Sequence, residues 1–184
     1  MKFIFDFDDV LFNNSKQFKE HMYACFEKRG VSKDKAKEYY ENTIDNKRDR
    51  LWLKEMIAYF SAPEELYEEI LNASKDFINE DLASLLKTLG NENCYIVTRG
   101  HQNFQMDKIS RTELSDYFSE IIVVQGSKKE AVEEICEKHK DEKVIFIDDK
   151  AHHFEGLDFK KYPNLKTILY DEQGLNKLKA EINS

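Results

Sequence analysis

Five short runs of apolar residues constrain the fold of this chain more than any other feature. They are rich in Val, Ile, Phe and Tyr, and polar residues follow each one. The runs are continuous rather than alternating, as is typical of strands that are covered on both faces. We therefore expect buried strands with the sequences KFIFDF at 2–7, CYIVT at 94–98, EIIVV at 120–124, KVIFI at 143–147 and LKTILY at 165–170.

Patterns typical of helices lie between the later runs. The segment SKKEAVEEICEKH at 127–139 places apolar residues on one helical face, namely Ala131, Val132, Ile135 and Cys136. Strands that alternate with helices indicate a parallel sheet with helices on both faces. The predicted fold class is α/β, with a Rossmann-like, doubly wound parallel sheet.

One interval departs from this alternation. About eighty residues separate the first run from the second, and a single crossover helix needs far fewer. Helical patterns fill the interval, with Gly30 as a plausible helix end and Pro63 near a helix start. We predict an all-helical insertion at 14–78, and a catalytic core formed by 1–13 and 79–184.

The charge balance argues against nucleic acid and membrane partners. The chain has 28 Lys and Arg against 36 Asp and Glu, a formal net charge of -8, and no long basic stripe. No window is apolar enough to cross a bilayer, and the first apolar stretch lacks the features of a signal peptide. The 3 cysteines are widely spaced, as in reduced core positions. We expect a soluble, cytoplasmic protein, and the sequence leaves the oligomeric state open.

Three aspartates follow the first apolar run closely. Asp6, Asp8 and Asp9 repel one another unless a cation or hydrogen bonds offset their charge. Taken alone, this stretch is more typical of a strand that ends in an acidic turn than of a site for a hard divalent cation. The polar residues behind the other strands decide between these two interpretations.

Polar residues also follow the other predicted strands. They are Thr98, Arg99 and Gly100 after the second strand, Lys128 and Lys129 after the third, and Asp148 and Asp149 after the fourth. In an open parallel sheet, ligands bind beyond the carboxyl ends of the strands, so these groups converge on one crevice. Carboxylates bind Mg²⁺, whereas lysine and threonine contact phosphoryl oxygens. The pattern predicts phosphoryl chemistry, with one aspartate free to attack phosphorus.

These residues give the chain a resemblance to hydrolases of the haloacid dehalogenase (HAD) superfamily over essentially its whole length. The opening DFDDVL at 6–11 resembles the family motif D-x-D-x-[TV]-[LV], although the commonest form has Gly in place of Asp9. YIVT at 95–98, the lysine that begins the helix in SKKEAVEEI at 127–135, and IDD at 147–149 resemble the second, third and fourth motifs. The helical insertion after the first motif is similar to the helical cap of one class in this family.

The resemblance implies a role for each acidic residue of the motifs. Asp6 is the expected nucleophile, which becomes an aspartyl phosphate, and Asp8 is the expected general acid and base. The resemblance also implies a Mg²⁺ cofactor. Its expected ligands are Asp6, Asp8 through its backbone carbonyl, Asp148, and Asp149 directly or through water.

Substrate contacts are expected from the second and third motifs, at Thr98, Arg99, Gly100 and Lys128. In the family, the threonine and the lysine hold the transferring phosphoryl group and so belong to the catalytic machinery. Lys128 is preferred to Lys129 because the apolar residue Val132 follows it by four positions, a spacing that resembles the third motif.

The sequence predicts a Mg²⁺-dependent phosphatase for a small phosphorylated metabolite, and it leaves the identity of that metabolite open. A phosphomutase is an alternative, because the aspartyl phosphate can be passed to a bound sugar instead of to water. A non-enzymatic, receiver-like signalling module is a third interpretation. Motif order argues against this module, since the phosphoacceptor of a receiver follows a middle strand and a receiver has no insertion of this size.

Two further segments allow a functional or a structural interpretation. The segment NKRDRLWLK at 46–54 is a candidate for reading the substrate, but a solvated helix flank anchored by Trp52 is the favoured interpretation. His152 and His153 follow the fourth motif. Mg²⁺ prefers oxygen ligands, and adjacent side chains seldom share one ion. We therefore interpret the two histidines as part of a surface loop or a helix start.

Overall fold

The computed structural model describes residues 1–45 and 53–184. Its strands are β1 (Lys2–Phe5), β2 (Cys94–Arg99), β3 (Glu120–Val124), β4 (Val144–Asp148) and β5 (Leu165–Leu169). They form one parallel sheet of 5 strands in the order β3-β2-β1-β4-β5. The predicted α/β class with a Rossmann-like parallel sheet is confirmed, and each expected run forms a strand.

Strand β1 lies in the centre of the sheet, between β2 and β4. Its residue Phe5 is paired with Ile96 on one side and with Ile147 on the other. All residues of β1 and β4 are buried, which explains their unbroken apolar sequences. The carboxyl ends of the three central strands therefore lie side by side.

The chain between β1 and β2 is helical. Its described part contains α1 (Lys19–Glu27), α2 (Lys33–Asp45), α3 (Leu53–Tyr59) and α4 (Glu65–Asn72), with a π-helical turn at Asn14–Phe18 and a 3-10 turn at Ser74–Phe77. Gly30 follows α1 with a φ of +85°, a conformation that glycine adopts without strain. Residues 46–52, which include most of the segment NKRDRLWLK, lie outside the described residues, so the role of that segment stays a prediction.

Helices cover both faces of the sheet. The core helices are α5 (Glu80–Leu89), α6 (Gln102–Arg111), α7 (Lys129–Lys138) and α8 (Gly174–Ile182). On one face, Val132 of α7 belongs to a buried cluster with Ile4 of β1. On the other face, Leu82 of α5 and Ile109 of α6 share a cluster with Phe5. Within 1–45 and 53–184, no helix is long and apolar enough to cross a membrane.

The two connections between the insertion and the core run side by side. The N–H of Asn13 donates to the carbonyl of Phe77 at 2.7 Å, and the N–H of Asn79 donates to the carbonyl of Leu11 at 2.8 Å. An antiparallel bridge lies between these two hydrogen bonds. We call these two short segments the paired connections.

The buried apolar residues of the insertion are continuous with one face of the sheet. A single cluster contains Phe18 and Met22 of the insertion, Phe5 and Ile96 of the sheet, and Phe104 of α6. The rings of Phe18 and Phe104 lie 6.5 Å apart, centroid to centroid. Apolar packing therefore holds the insertion against the core.

Candidate active site

Asp6 follows the central strand and is buried. Its backbone N–H donates to the carbonyl of Ile147 at 2.8 Å, so pairing with β4 continues one residue beyond β1. The N–H of Phe7 donates to Oδ1 of Asp6 at 2.7 Å. Burial raises the pKa of Asp6 to about 6, although the nearby Lys128 ammonium opposes this effect. Asp6 is thus a firmly held carboxyl group whose negative charge depends on neighbouring cations.

Lys128 bridges the ends of two strands with a single ammonium group. Its Nζ lies 2.7 Å from Oδ2 of Asp6 and 2.7 Å from Oδ2 of Asp148. The side chain of Lys128 is 1% exposed, whereas that of Lys129 is 42% exposed and lies 3.7 Å from Glu133. The structure brings Lys128, and not Lys129, together with the carboxylates of the first and fourth motifs.

Asp148 ends β4 and accepts several hydrogen bonds. The N–H of Lys150 donates to Oδ1 at 2.9 Å, and Nδ1 of His153 donates to Oδ2 at 2.8 Å. Burial raises the pKa of Asp148, but hydrogen bonds from His153 and Lys128 outweigh burial and hold this pKa below its usual range. Asp148 is therefore kept ionised, as a metal ligand must be.

The two histidines behind the fourth motif have different positions. His152 is exposed, whereas the side chain of His153 is 10% exposed and contacts Asp148. A surface loop therefore describes His152 but not His153, whereas the alternative expectation of a helix start fits both. Both lie in a 3-10 turn at Ala151–Phe154, which brings the second histidine back to the strand end. No sequence pattern separates the two histidines, because the turn decides which of them faces Asp148.

The carboxylates behind β1 and β4 form a site that fits a divalent cation. Ligand atoms of Asp6, Asp148 and His153 lie within 4.8 Å of one another, and the side-chain oxygens of Asp8 and Asp149 lie outside this group. Oδ1 of Asp149 is buried, and it has no hydrogen-bond partner among the described residues. A buried carboxylate oxygen normally contacts a donor, an ion or a water molecule, so this oxygen-rich set fits Mg²⁺.

Asp9, the residue that stands in place of the glycine of the commonest family motif, lies in a tight turn after Asp6. Asp9 has a φ of +61°, in the left-handed region that glycine adopts most easily. Its side chain accepts hydrogen bonds from the N–H of Ser15 at 2.7 Å and from Oγ of Ser15 at 2.5 Å. Aspartate tolerates this conformation when its side chain binds nearby backbone groups. Asp9 therefore ties the turn to the start of the insertion.

Asp8 is held by two side chains of α6. Nζ of Lys108 lies 2.6 Å from Oδ1 of Asp8, and Nε2 of Gln105 donates to Oδ2 of Asp8 at 2.9 Å. Sequence reasoning missed Gln105 and Lys108, because both look like ordinary polar residues of an amphipathic helix. Their burial distinguishes them, and no sequence pattern indicates it.

The second motif surrounds the same glutamine. Thr98 is buried, and its Oγ1 accepts a hydrogen bond from Nε2 of Gln105 at 3.2 Å. A Cβ atom on Gly100 would lie 2.5 Å from Cγ of Gln105, so this close approach requires glycine. Arg99 is exposed and lines a cavity of about 120 Å³ together with Asp8. Side chains of the insertion complete the lining of this cavity.

The fold and the site define a general class of protein, an α/β protein with a carboxylate-rich crevice. Its parallel sheet has an acidic carboxyl edge, and a helical insertion follows the first strand. The family model described as haloacid dehalogenase-like hydrolase matches residues 3–157. The chain belongs to this family and is a hydrolase of the HAD superfamily. The resemblance drawn from the motifs is confirmed.

Several solved structures share this fold. A hydrolase from Streptococcus pneumoniae TIGR4 is 15% identical, with 100% of this chain and 98% of that chain covered and a TM-score of 0.59. The HAD-hydrolase YfnB from Bacillus subtilis, bound to magnesium, is 16% identical, with the same coverage and a TM-score of 0.59.

The L-2-haloacid dehalogenase from Xanthobacter autotrophicus, with chloropropionic acid covalently bound, is also similar. It is 15% identical, with 98% of this chain and 82% of that chain covered and a TM-score of 0.56. No curated protein sequence matches the chain significantly. At these identities the structural likeness shows the fold alone, so the substrate class must be argued from the site.

Proposed function

We propose that the protein is a Mg²⁺-dependent phosphatase that acts on a small phosphorylated metabolite through an aspartyl phosphate on Asp6. The observation that carries this proposal is a second carboxyl group, Asp8, which follows the nucleophile by two residues and lines the adjacent cavity. An alcohol that leaves a phosphate ester needs a proton, whereas a halide that leaves carbon does not. A second carboxyl group beside the nucleophile therefore favours phosphate esters over haloacids as substrates.

Asp6 and Asp8 would divide the reaction between them. The Asp6 carboxylate attacks phosphorus, and an O–P bond forms as the O–P bond to the leaving alcohol breaks. The carboxyl proton of Asp8 passes to the leaving oxygen. In the second half, Asp8 accepts a proton from water while the water oxygen bonds to phosphorus. The aspartyl O–P bond then breaks, which releases inorganic phosphate and regenerates Asp6.

The acidic residues of the first and fourth motifs would hold the metal. Its ligands would be Asp6, Asp148, the backbone carbonyl of Asp8, and Asp149 directly or through water. Bound Mg²⁺ would supply positive charge to the phosphoryl oxygens. Since Mg²⁺ prefers oxygen, His153 is assigned a different role, which is to orient Asp148 through the hydrogen bond at 2.8 Å.

The remaining motif residues would bind the substrate. Lys128 would neutralise the transferring phosphoryl group, and Thr98 would donate a hydrogen bond to it. Arg99 and Gly100 lie where the substrate would enter, and Arg99 lines the cavity. We further propose that the insertion at 14–78 acts as a cap, because its side chains line this cavity and would exclude water and macromolecules from it.

The test is a panel of small phosphate monoesters, assayed for release of inorganic phosphate with Mg²⁺ and with a chelator. We expect hydrolysis of at least one ester, loss of that activity in chelator, and its return when Mg²⁺ is added. A parallel arm measures halide release from 2-haloacids. Halide release without any phosphate release would overturn the proposal in favour of a dehalogenase.

Product analysis separates the phosphatase from a phosphomutase. With a sugar phosphate as substrate, a phosphatase yields free sugar and inorganic phosphate in equal amounts. A mutase instead conserves the ester and moves it to another hydroxyl group. Isomerised sugar phosphate without free phosphate would therefore assign the chain to the mutases of the superfamily.

A further inference from the structure

Lys108 occupies an unusual position for a lysine. Its side chain is 2% exposed although it lies on a helix, α6, whose other charged residues are more accessible. Four aromatic rings surround its ammonium group, with distances from Nζ to the ring centroids of 5.5 Å for Phe7, 5.3 Å for Phe12, 5.8 Å for Phe18 and 5.0 Å for Phe104. We call these rings the aromatic cage. Cation–π attraction and steric contact together restrict the ammonium to one location.

The cage directs the ammonium group at one carboxylate. Nζ of Lys108 lies 2.6 Å from Oδ1 of Asp8, which is the carboxylate it contacts among the described residues. Gln105 lies three positions earlier, on the same face of α6, and its Nε2 donates to Oδ2 of Asp8 at 2.9 Å. Each oxygen of the carboxylate therefore has a separate donor, and the group cannot rotate without losing one of them.

A buried lysine is costly, so its presence here calls for a reason. Removing an ammonium group from water destabilises a fold unless a partner compensates. An apolar side chain such as methionine would fill an aromatic cage without this cost, because its thioether packs well against rings. The feature that Lys108 adds beyond an apolar side chain is the charged hydrogen bond to Asp8.

We propose that Lys108 is a positioning residue, which together with Gln105 fixes the ionised carboxylate of Asp8 in one orientation for the half-reaction in which it accepts a proton from water. This inference rests on the proposed function, because it assigns a purpose to the proton-transferring role of Asp8. Gln105 also donates to Oγ1 of Thr98, so the same helix face sets Asp8 relative to the second motif. The insertion takes part as well, since Phe18 supplies one ring of the cage.

The first experiment is a double-mutant cycle with Lys108→Met and Asp8→Asn, measured on the best phosphate ester of the wild type. Lys108→Met should lower kcat about tenfold to a hundredfold, as expected for a misplaced proton-transfer group, while KM changes less than about twofold. In the Asp8→Asn background the same substitution should have no further effect on kcat. Equal losses in both backgrounds would show that Lys108 acts on the fold and not through Asp8.

Lys108→Arg and Lys87→Met provide the matched comparisons. Arginine keeps the charged donor, so Lys108→Arg should retain more kcat than Lys108→Met, although methionine is the better filler of the cage. The opposite order would overturn the proposal. Lys87 is exposed on α5, and Lys87→Met should leave kcat and the unfolding temperature unchanged. Thermal unfolding of every variant shows whether loss of kcat follows loss of fold.

A crystal structure of Lys108→Met provides a readout that does not depend on the substrate. The Asp8 carboxylate should leave its present orientation or occupy more than one. If Asp8 keeps its place with Gln105 as the remaining donor, the proposal fails even when phosphatase activity is established. Conversely, if wild-type protein hydrolyses no phosphate ester, the proposed function fails, and the displacement of Asp8 still shows whether Lys108 fixes it.

Discussion

The carboxyl edge of the sheet buries charged side chains, whereas the helical insertion keeps its charged side chains at the surface. At the sheet edge, Asp6 and Asp148 are buried, and each contacts the buried ammonium group of Lys128. In the insertion, charged residues lie at the surface, as in the pair between Arg29 and Glu69, whose side chains are 40% and 34% exposed. Of the 9 buried polar or charged side chains in the described residues, Ser74 alone belongs to the insertion.

This difference separates residues that stabilise the fold from residues for which we propose a catalytic role. Buried charges usually cost stability compared with apolar groups of similar size, so a fold that concentrates them at one edge gives up stability for chemistry there. The insertion is instead stabilised by apolar side chains such as Leu53, Met56, Leu66 and Ile70, all of which are fully buried. Substitutions in the two regions should therefore change different measurable properties.

The largest effect is expected from Asp6→Asn. An amide cannot form the aspartyl phosphate, so we expect turnover to fall below detection and phosphoenzyme labelling to disappear. The fold should survive, because the substitution removes a buried negative charge and Lys128 keeps Asp148 as its partner. The measurements are phosphate release, trapping of labelled phosphoenzyme and circular dichroism. Phosphoenzyme that persists in this variant would move the nucleophile to another residue.

Lys128→Met and Lys129→Met form a matched pair at adjacent positions. Without the ammonium of Lys128, the buried carboxylates of Asp6 and Asp148 face each other, and we expect a loss of about 3–5 kcal/mol in the free energy of unfolding, measured in chelator. Mg²⁺ should restore part of this loss, because it supplies positive charge to the same carboxylates. Lys129→Met should change stability by less than about 0.5 kcal/mol. Equal effects at both positions would contradict the contrast in their burial.

Met56→Ala tests the apolar interior of the insertion. Truncation of a fully buried methionine should lower the free energy of unfolding by about 2–5 kcal/mol, because transfer energy is lost and a cavity remains. At a temperature where the variant is folded, its requirement for Mg²⁺ should match that of the wild type. Arg29→Ala serves as the surface control and should leave the urea midpoint unchanged. If Met56→Ala stayed stable but lost its Mg²⁺ dependence, the insertion and the sheet edge would not have the different roles described above.

The smallest effect concerns the pH dependence of stability. The pKa of Asp6 is raised from 3.8 to about 6 in the folded chain, so folding favours its protonated form. The cost of burying its charge is therefore absent below the ordinary pKa, grows as pH rises, and is complete above about pH 6. In chelator, Asp6→Asn should gain stability relative to the wild type between about pH 4 and pH 7. Urea unfolding at both pH values checks this, and Met56→Ala should show no such change.

The sheet and four strand-end residues could be predicted because each depends on local sequence. Continuous apolar runs identify the strands, and parallel strands bring Asp6, Thr98 and Asp148 to one edge whatever the intervening loops do. Lys128 could be preferred to Lys129 because its spacing from Val132 resembles the third motif of the family. The positive φ of Asp9 is also a local property, because it belongs to one tight turn.

The residues that could not be predicted depend on contacts between distant parts of the chain. Lys108 is buried because Phe18, in the insertion, closes the aromatic cage, and no pattern within α6 carries that information. Gln105 looks equally ordinary in the sequence, and only the structure shows that its side chain packs against Gly100, where a Cβ atom would clash with it. The contact of His153 with Asp148 could not be predicted, because a short turn decides which of two adjacent histidines faces the strand end.

The paired connections also bear on the order in which the chain folds. Ile4 of β1 pairs with Tyr95 and with Phe146, so the central strand must find partners that are remote along the sequence. Closing such long loops is entropically costly and slows folding. Helices depend on local contacts, and in the folded chain the bridge between Phe12 and Ile78 joins the two ends of the insertion. Once folded, the insertion acts as a short link between β1 and α5, and we expect it to form before the sheet.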